Sequence, residues 1–154
     1  MRVLKYFSVA TIVMFMITGC GNRSPRTPRE AFRAAGDAYA IGDSAGMLKL
    51  LSKETLESYM KTVRTINAMS PDRKKSLYAK RAIPSETNIG LREFTAFTIE
   101  TAKRDGNIPV FESLSRPVTS IVIRGNSAII RTDNGVELHF IKEGFGWKFN
   151  PEAR

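Results

Sequence analysis

The chain is poor in the residues that build disulfides and metal sites. Its 154 residues include one cysteine, Cys20, and one histidine, His139. A lone thiol closes no intrachain disulfide, and one histidine with one thiol falls short of a zinc ligand set. The apolar run Tyr6 to Ile17 is only about a dozen residues, short of the roughly 20 that a spanning helix needs. No glycine-rich phosphate loop and no serine-nucleophile motif is present. Internal repeats and low-complexity blocks are missing as well. These absences leave no catalytic motif, and neither a cofactor nor a metal is expected.

Acidic residues are also scarce. There are 15 against 24 basic ones, a formal charge of +9. Residues 1–19 carry Arg2 and Lys5 and no acid, so the chain beyond them holds +7 (22 minus 15). The excess has two concentrations. Arg23, Arg26 and Arg29 precede the first acid, Glu30, and Arg73, Lys74, Lys75, Lys80 and Arg81 form the second. A nucleic-acid surface would want interleaved aromatics or a recognisable module, and neither is apparent. No nucleic-acid partner is expected, and the second cluster reads as a solvated helix face.

The first 19 residues have the three parts of an export signal. Arg2 and Lys5 are the positive start, Tyr6 to Ile17 the apolar centre, and Thr18-Gly19 the small residues before a cleavage point. The run Ile17-Thr18-Gly19-Cys20 resembles the bacterial lipobox, although leucine is commoner than isoleucine at its first place. That resemblance implies a diacylglycerol on the Cys20 sulfur, cleavage before Cys20, and acylation of the new amino terminus. Two or more acyl chains anchor stably where one does not. Cys20 is thus the expected lipidation site, with membrane lipid as its partner. Residues 20–27 read as lipidated cysteine and tether, because Asn22, Arg23, Ser24, Pro25 and Thr27 offer little to bury. No aspartate retention signal follows Cys20, and Asn22 stands second after it. The resemblance therefore implies a bacterial envelope protein on the outer membrane, facing the periplasm, rather than on the inner membrane.

Residues 28–150 are one domain's worth of chain. Thr27 caps a first helix, with Pro28 at its first position and Glu30 completing a capping box. Phe32, Ala35, Ala38 and Tyr39 share its apolar arc. Gly42 stops it, and Asp43 caps a short second helix carrying Met47, Leu48 and Leu51. Ser52 caps a third, with Leu56, Tyr59, Met60 and Val63 at helical spacing. Ser70-Pro71-Asp72 opens a polar helix running to about Arg81, and Pro84 breaks it. Leu91 to Arg104 is a further helix, with Leu91, Phe94 and Thr98 inward and Phe97 flanking. Its stretch Phe94 to Thr101 is rich in residues that also suit a strand. Asp105-Gly106-Asn107 ends it.

The final third alternates. Strands are expected at Val118–Arg124, Ser127–Thr132, Val136–Lys142 and Phe145–Phe149. Gly125-Asn126 and Glu143-Gly144 suit tight turns, and Asp133-Asn134-Gly135 a three-residue turn with Gly135 left-handed. A two-residue turn at Asn134-Gly135 would slip the register and move Leu138 and Phe140 off the apolar face. The three-residue turn sets Ile130 opposite Leu138 and Ala128 opposite Phe140. The last hairpin is expected to set Phe140 opposite Trp147 and Leu138 opposite Phe149. One face then holds Ile121, Ile123, Ala128, Ile130, Val136, Leu138, Phe140, Phe145, Trp147 and Phe149. The other keeps Val122, Ile129 and Ile141 among Arg131, Glu137 and His139. It is too apolar to be wholly solvated, so a covering segment or partner is expected there.

Helices followed by an antiparallel meander give an α+β fold, N-terminal helices packed on a curved antiparallel sheet. Thr27-Pro28-Arg29-Glu30-Ala31-Phe32, Gly42-Asp43, Leu50-Leu51 and Gly146-Trp147-Lys148-Phe149 resemble the nuclear transport factor 2-like superfamily, in particular its small envelope lipoproteins. The resemblance spans residues 27–150 in element order, and the middle, 65–110, departs from it. It implies a cone with a cavity between helices and sheet, and a homodimer through the outer sheet face.

Some members of that superfamily are isomerases, dehydratases or cyclases. Such chemistry needs an acid or base inside the cavity. Asp37 falls outside the first helix's apolar arc, and His139 alternates away from the core face. Arg131 and Glu137 read as a cross-strand ion pair. Tyr39, Tyr59 and Tyr78 read as core. The chain is accordingly expected not to be an enzyme. It reads as a membrane-anchored interaction module whose partner is a small apolar ligand or another envelope protein. The alternative is a small cavity enzyme of the isomerase or dehydratase kind.

Overall fold

The computed structural model describes residues 24–79, 87–106 and 108–153. The leader, Cys20, Lys80, Arg81 and Pro84 lie outside the described residues. Helices come first: α1 (Pro28–Ile41), α2 (Ser44–Leu50), α3 (Lys53–Asn67), α4 (Pro71–Tyr78), α5 (Leu91–Asp105) and α6 (Pro109–Glu112). A 3-10 turn at Ser113–Ser115 leads into β1 (Val118–Arg124), β2 (Ser127–Thr132), β3 (Glu137–Glu143) and β4 (Gly146–Phe149). The strands form one antiparallel meander in the order β1-β2-β3-β4. The protein is therefore α+β, with helices packed against a four-stranded antiparallel sheet.

The caps explain the helix starts. The Thr27 side chain accepts from the Glu30 N–H at 3.1 Å, and Pro28 needs no N–H partner at the first position. Glu30 reaches one residue further back than in a simple capping box, to the Arg26 N–H at 2.7 Å. Gly42 takes φ +74, a left-handed stop that its missing Cβ makes inexpensive. Asp43 caps α2 through the Gly46 N–H, and Ser52 caps α3 through the Thr55 N–H.

Both middle helices turn differently from the expectation. The buried residues of α5 are Thr95, Ile99 and Ala102, whereas Leu91, Phe94, Phe97 and Thr98 are half-buried. Leu91 and Phe94 pack against two apolar clusters, and Phe97 against the one formed by Val63, Ile66, Tyr78 and Ile89. Helix α5 packs against both α2 and α3, and Ile99 and Ala102 are buried on it. The polar α4 buries Tyr78 and also Lys74, whose Nζ donates to Asn88 Oδ1 at 3.0 Å. Lys74 is thus a buried, hydrogen-bonded residue and not part of a solvated face. Arg73 and Lys75 are exposed as expected.

Two hairpins keep their expected register. Ile123 pairs with Ala128, Ile121 with Ile130, Ala128 with Phe140 and Ile130 with Leu138. Gly135 sits at φ +81 in the three-residue turn, which the Thr132 N–H to Val136 carbonyl bond closes. The last hairpin differs by two residues. Phe140 pairs with Phe149, and Glu143 with Gly146. Gly144, at φ +57, and Phe145 form the turn, so Phe145 is 97% exposed instead of facing the core. A shift of two preserves the inward face, so Trp147 and Phe149 stay buried. Ile123 shares that face but is 55% exposed, because α1 and α2 pack over β4 and leave the opposite edge strand open.

The open edge of β4 is covered. The Trp147 N–H donates to the Pro25 carbonyl at 2.8 Å, and the Ser52 N–H donates to the Phe149 carbonyl at 2.8 Å. Pro25 is buried, so chain ahead of Pro28 already packs on the sheet. Gly146 admits this approach, since a Cβ on it would lie 2.5 Å from Ser24 Cβ.

Candidate functional site

The space between helices and sheet, where a cavity would sit, is occupied by aromatic rings. Phe140 and Phe149 rise from the inner sheet face with centroids 5.3 Å apart. Phe111 from α6 meets Phe149 edge-on at 5.8 Å, and Tyr39 from α1 lies 6.3 Å from Phe111. Offset and edge-on contacts of this kind are the favoured aromatic geometries. Met47, Leu51, Ile130 and Leu138 complete the packing, each at most 1% exposed. Phe111 lies in the stretch between the last expected helix and the first expected strand, where no element was foreseen. The signal available there was Pro109 two residues ahead, a residue suited to a helix start.

The buried polar groups are mostly consumed in structure. Ser52, Thr55 and Asn150 form a chain, with Oγ to Oγ1 at 2.9 Å and Oγ1 to Oδ1 at 3.0 Å, and Asn150 donates on to Glu54. Thr132 and Ser113 both hydrogen-bond Asn134. The expected tyrosines are core residues, each at most 6% exposed. Burial pushes the Tyr59 hydroxyl up to about 12, with the Glu152 charge adding to the rise and a hydrogen bond with Thr98 opposing it. Burial also raises Tyr78, whose hydroxyl has no hydrogen-bond partner among the described residues. Tyr39 is raised by burial and then by the nearby Glu112 charge.

Three concavities stand out on the surface of the described residues. A groove of about 420 Å³ runs between α1 and the chain entering β1, with Arg29, Arg33 and Arg116 on its walls and Asp37 among them. Asp37 is exposed, outside the core as expected. The spacing of Arg29, Arg33 and Asp37 on one helical face was the signal for this groove. A second hollow of about 230 Å³ lies on the outer sheet face, where Val122 and Ile129 meet Arg131 and Glu137. Arg131 and Glu137 form the expected cross-strand ion pair. That hydrogen bond, then the guanidinium charge, holds the Glu137 carboxyl below its ordinary range. His139 pairs with Ile129 in the ladder and is half-buried. The third is a small apolar cleft of about 180 Å³ between Tyr78, Phe94, Phe97 and Ile108.

Among the described residues, no group of three or more His, Cys, Asp or Glu side chains comes together to hold a metal ion. No described helix is long and apolar enough to cross a membrane. Cys20, the expected lipidation site, lies outside the described residues. The described chain begins at Ser24, beside Gly146. Comparison with protein families, with curated proteins and with solved structures finds no match.

Proposed function

We propose that this chain is a bacterial envelope lipoprotein, attached to the membrane through acylated Cys20, whose folded domain is a non-catalytic interaction module. The observation that carries the reading is Ile17-Thr18-Gly19-Cys20 placed directly after a positive start and an apolar centre. The order of helices followed by a meander supports a nuclear transport factor 2-like domain. In that reading the Tyr39, Phe111, Phe149 and Phe140 rings occupy the volume that a cavity enzyme of the family would use. The filled interior favours recognition at the surface, by another envelope protein, over uptake of a small apolar ligand. The half-apolar outer sheet face is where a second copy would pair. The missing aspartate behind Cys20 favours the outer membrane.

The test is fatty-acid labelling of cells producing the chain. The native chain should incorporate label and lose its leader to the lipoprotein signal peptidase. A Cys20→Ser chain should do neither. Equal labelling of both would remove the reading.

A further inference from the structure

The turn Gly144-Phe145 is the most apolar projection on the described surface, because Phe145 is 97% exposed. Its position is tied to the start of the domain. Gly146 packs against Ser24, and Trp147 is bonded to Pro25. Only four peptide steps separate Ser24 from Cys20. At the limit of an extended chain they span about 14 Å. Whatever path those steps take, Phe145 is held near the Cys20 attachment proposed above.

The surroundings of the turn fit a bilayer surface. The Lys142 N–H donates to the Asn126 carbonyl at 2.7 Å, so the tips 125–126 and 144–145 share one end of the sheet. Arg124 and Lys142 are exposed at that end, and so is Arg26 beside Pro25. Glu143, the acid of the turn, accepts from the Lys53 N–H at 2.9 Å and is occupied at the start of α3. Basic side chains close to an anionic leaflet strengthen adhesion, and aromatic side chains settle at the headgroup level.

We infer that the Gly144-Phe145 turn is a second membrane contact, with Phe145 inserted at the phospholipid headgroup boundary and Arg124 and Lys142 facing anionic lipid. The inference rests on the lipid attachment of Cys20 proposed above. It orients the domain: the sheet end with tips 125–126 and 144–145 faces the bilayer, and the Asp133–Gly135 turn faces away. Burying the Phe145 ring would favour the docked orientation by roughly tenfold or more.

The test uses the full lipidated chain, reconstituted in vesicles of phosphatidylethanolamine and phosphatidylglycerol. Acylation blocks the Cys20 thiol, so Ser127→Cys or Asp133→Cys supplies the one site for an environment-sensitive fluorophore. The label at 127 should shift to the blue and be quenched by nitroxide-bearing lipids. The label at 133 should not, and adding Phe145→Ser should abolish most of the quenching at 127. Equal quenching at 127 and 133, or quenching at 127 indifferent to Phe145→Ser, overturns the contact. Intact mass of the same sample reports Cys20. An unacylated Cys20 overturns the anchor reading itself, whereas acylated protein with unquenched 127 overturns the turn contact alone.

Discussion

The Pro25 carbonyl accepts a hydrogen bond from the Trp147 N–H at 2.8 Å, joining the start of the domain to its last strand. The bond satisfies an outward N–H of β4, an edge that would otherwise present unpaired backbone. It also places Ser24 on Gly146 too closely for any larger residue. Gly146→Ala should therefore destabilise the domain by about 1–3 kcal/mol, as overpacked sites do. Ser24→Gly in the same chain should recover most of that loss, because it removes the atom that the new methyl strikes. Denaturant unfolding of the single and double variants measures both.

The aromatic interior makes a second expectation. Phe111 is 2% exposed and touches both Tyr39 and Phe149. Phe111→Ala should cost about 3–5 kcal/mol by cavity formation. It should also create a pocket for small apolar molecules that the native chain lacks at that place. Calorimetric titration of the native and variant chains with benzene or indole checks this. Equal binding would show that the rings leave room already.

Tyr59 sets an alkaline limit. Its hydroxyl titrates near 12 in the fold against 10.0 when unfolded. A group raised on folding contributes its stability below the unfolded value and loses it as pH rises through the folded one. Stability should fall between pH 10.0 and about 12, and Tyr59's share of the fall is about 3 kcal/mol at most. Tyr59→Phe should flatten that part of the curve, measured as unfolding free energy against pH.

The Arg131–Glu137 pair acts at the other end of the scale. Its carboxyl is depressed below 4.5 by the hydrogen bond from Arg131 and then by the charge. A depressed carboxyl gives its stability above the unfolded value and loses it as pH falls through the folded one. Arg131→Gln should return the Glu137 titration to the ordinary range, as followed by side-chain carbon shifts. The pair is exposed, so the stability change should be small.

Local chemistry was legible wherever one residue type answers one backbone need. Thr27-Pro28, Gly42-Asp43 and Ser52 mark helix ends because caps and left-handed stops are short-range. Gly135 and the demand to bury Leu138 and Phe140 together select the central turn, since a slip of one exposes both. The same reasoning failed at the last hairpin. A slip of two keeps Trp147 and Phe149 inward, so burial alone does not choose between the turns Glu143-Gly144 and Gly144-Phe145. The choice follows contacts far along the chain, including Ser24 against Gly146 and Phe149 against Phe111. Lys74 and Phe111 were missed for a related reason. Their burial depends on Asn88 and on the sheet, which no local pattern around either residue reports.

Cys20 is the proposed membrane attachment. Its most direct measurement is the intact mass and amino-terminal peptide of the mature chain recovered from its native membrane. The expected mature chain begins at Cys20, carries a diacylglyceryl group on the sulfur and is acylated on the new amino terminus. A mature chain that begins elsewhere, or one whose Cys20 is a free thiol, would contradict it.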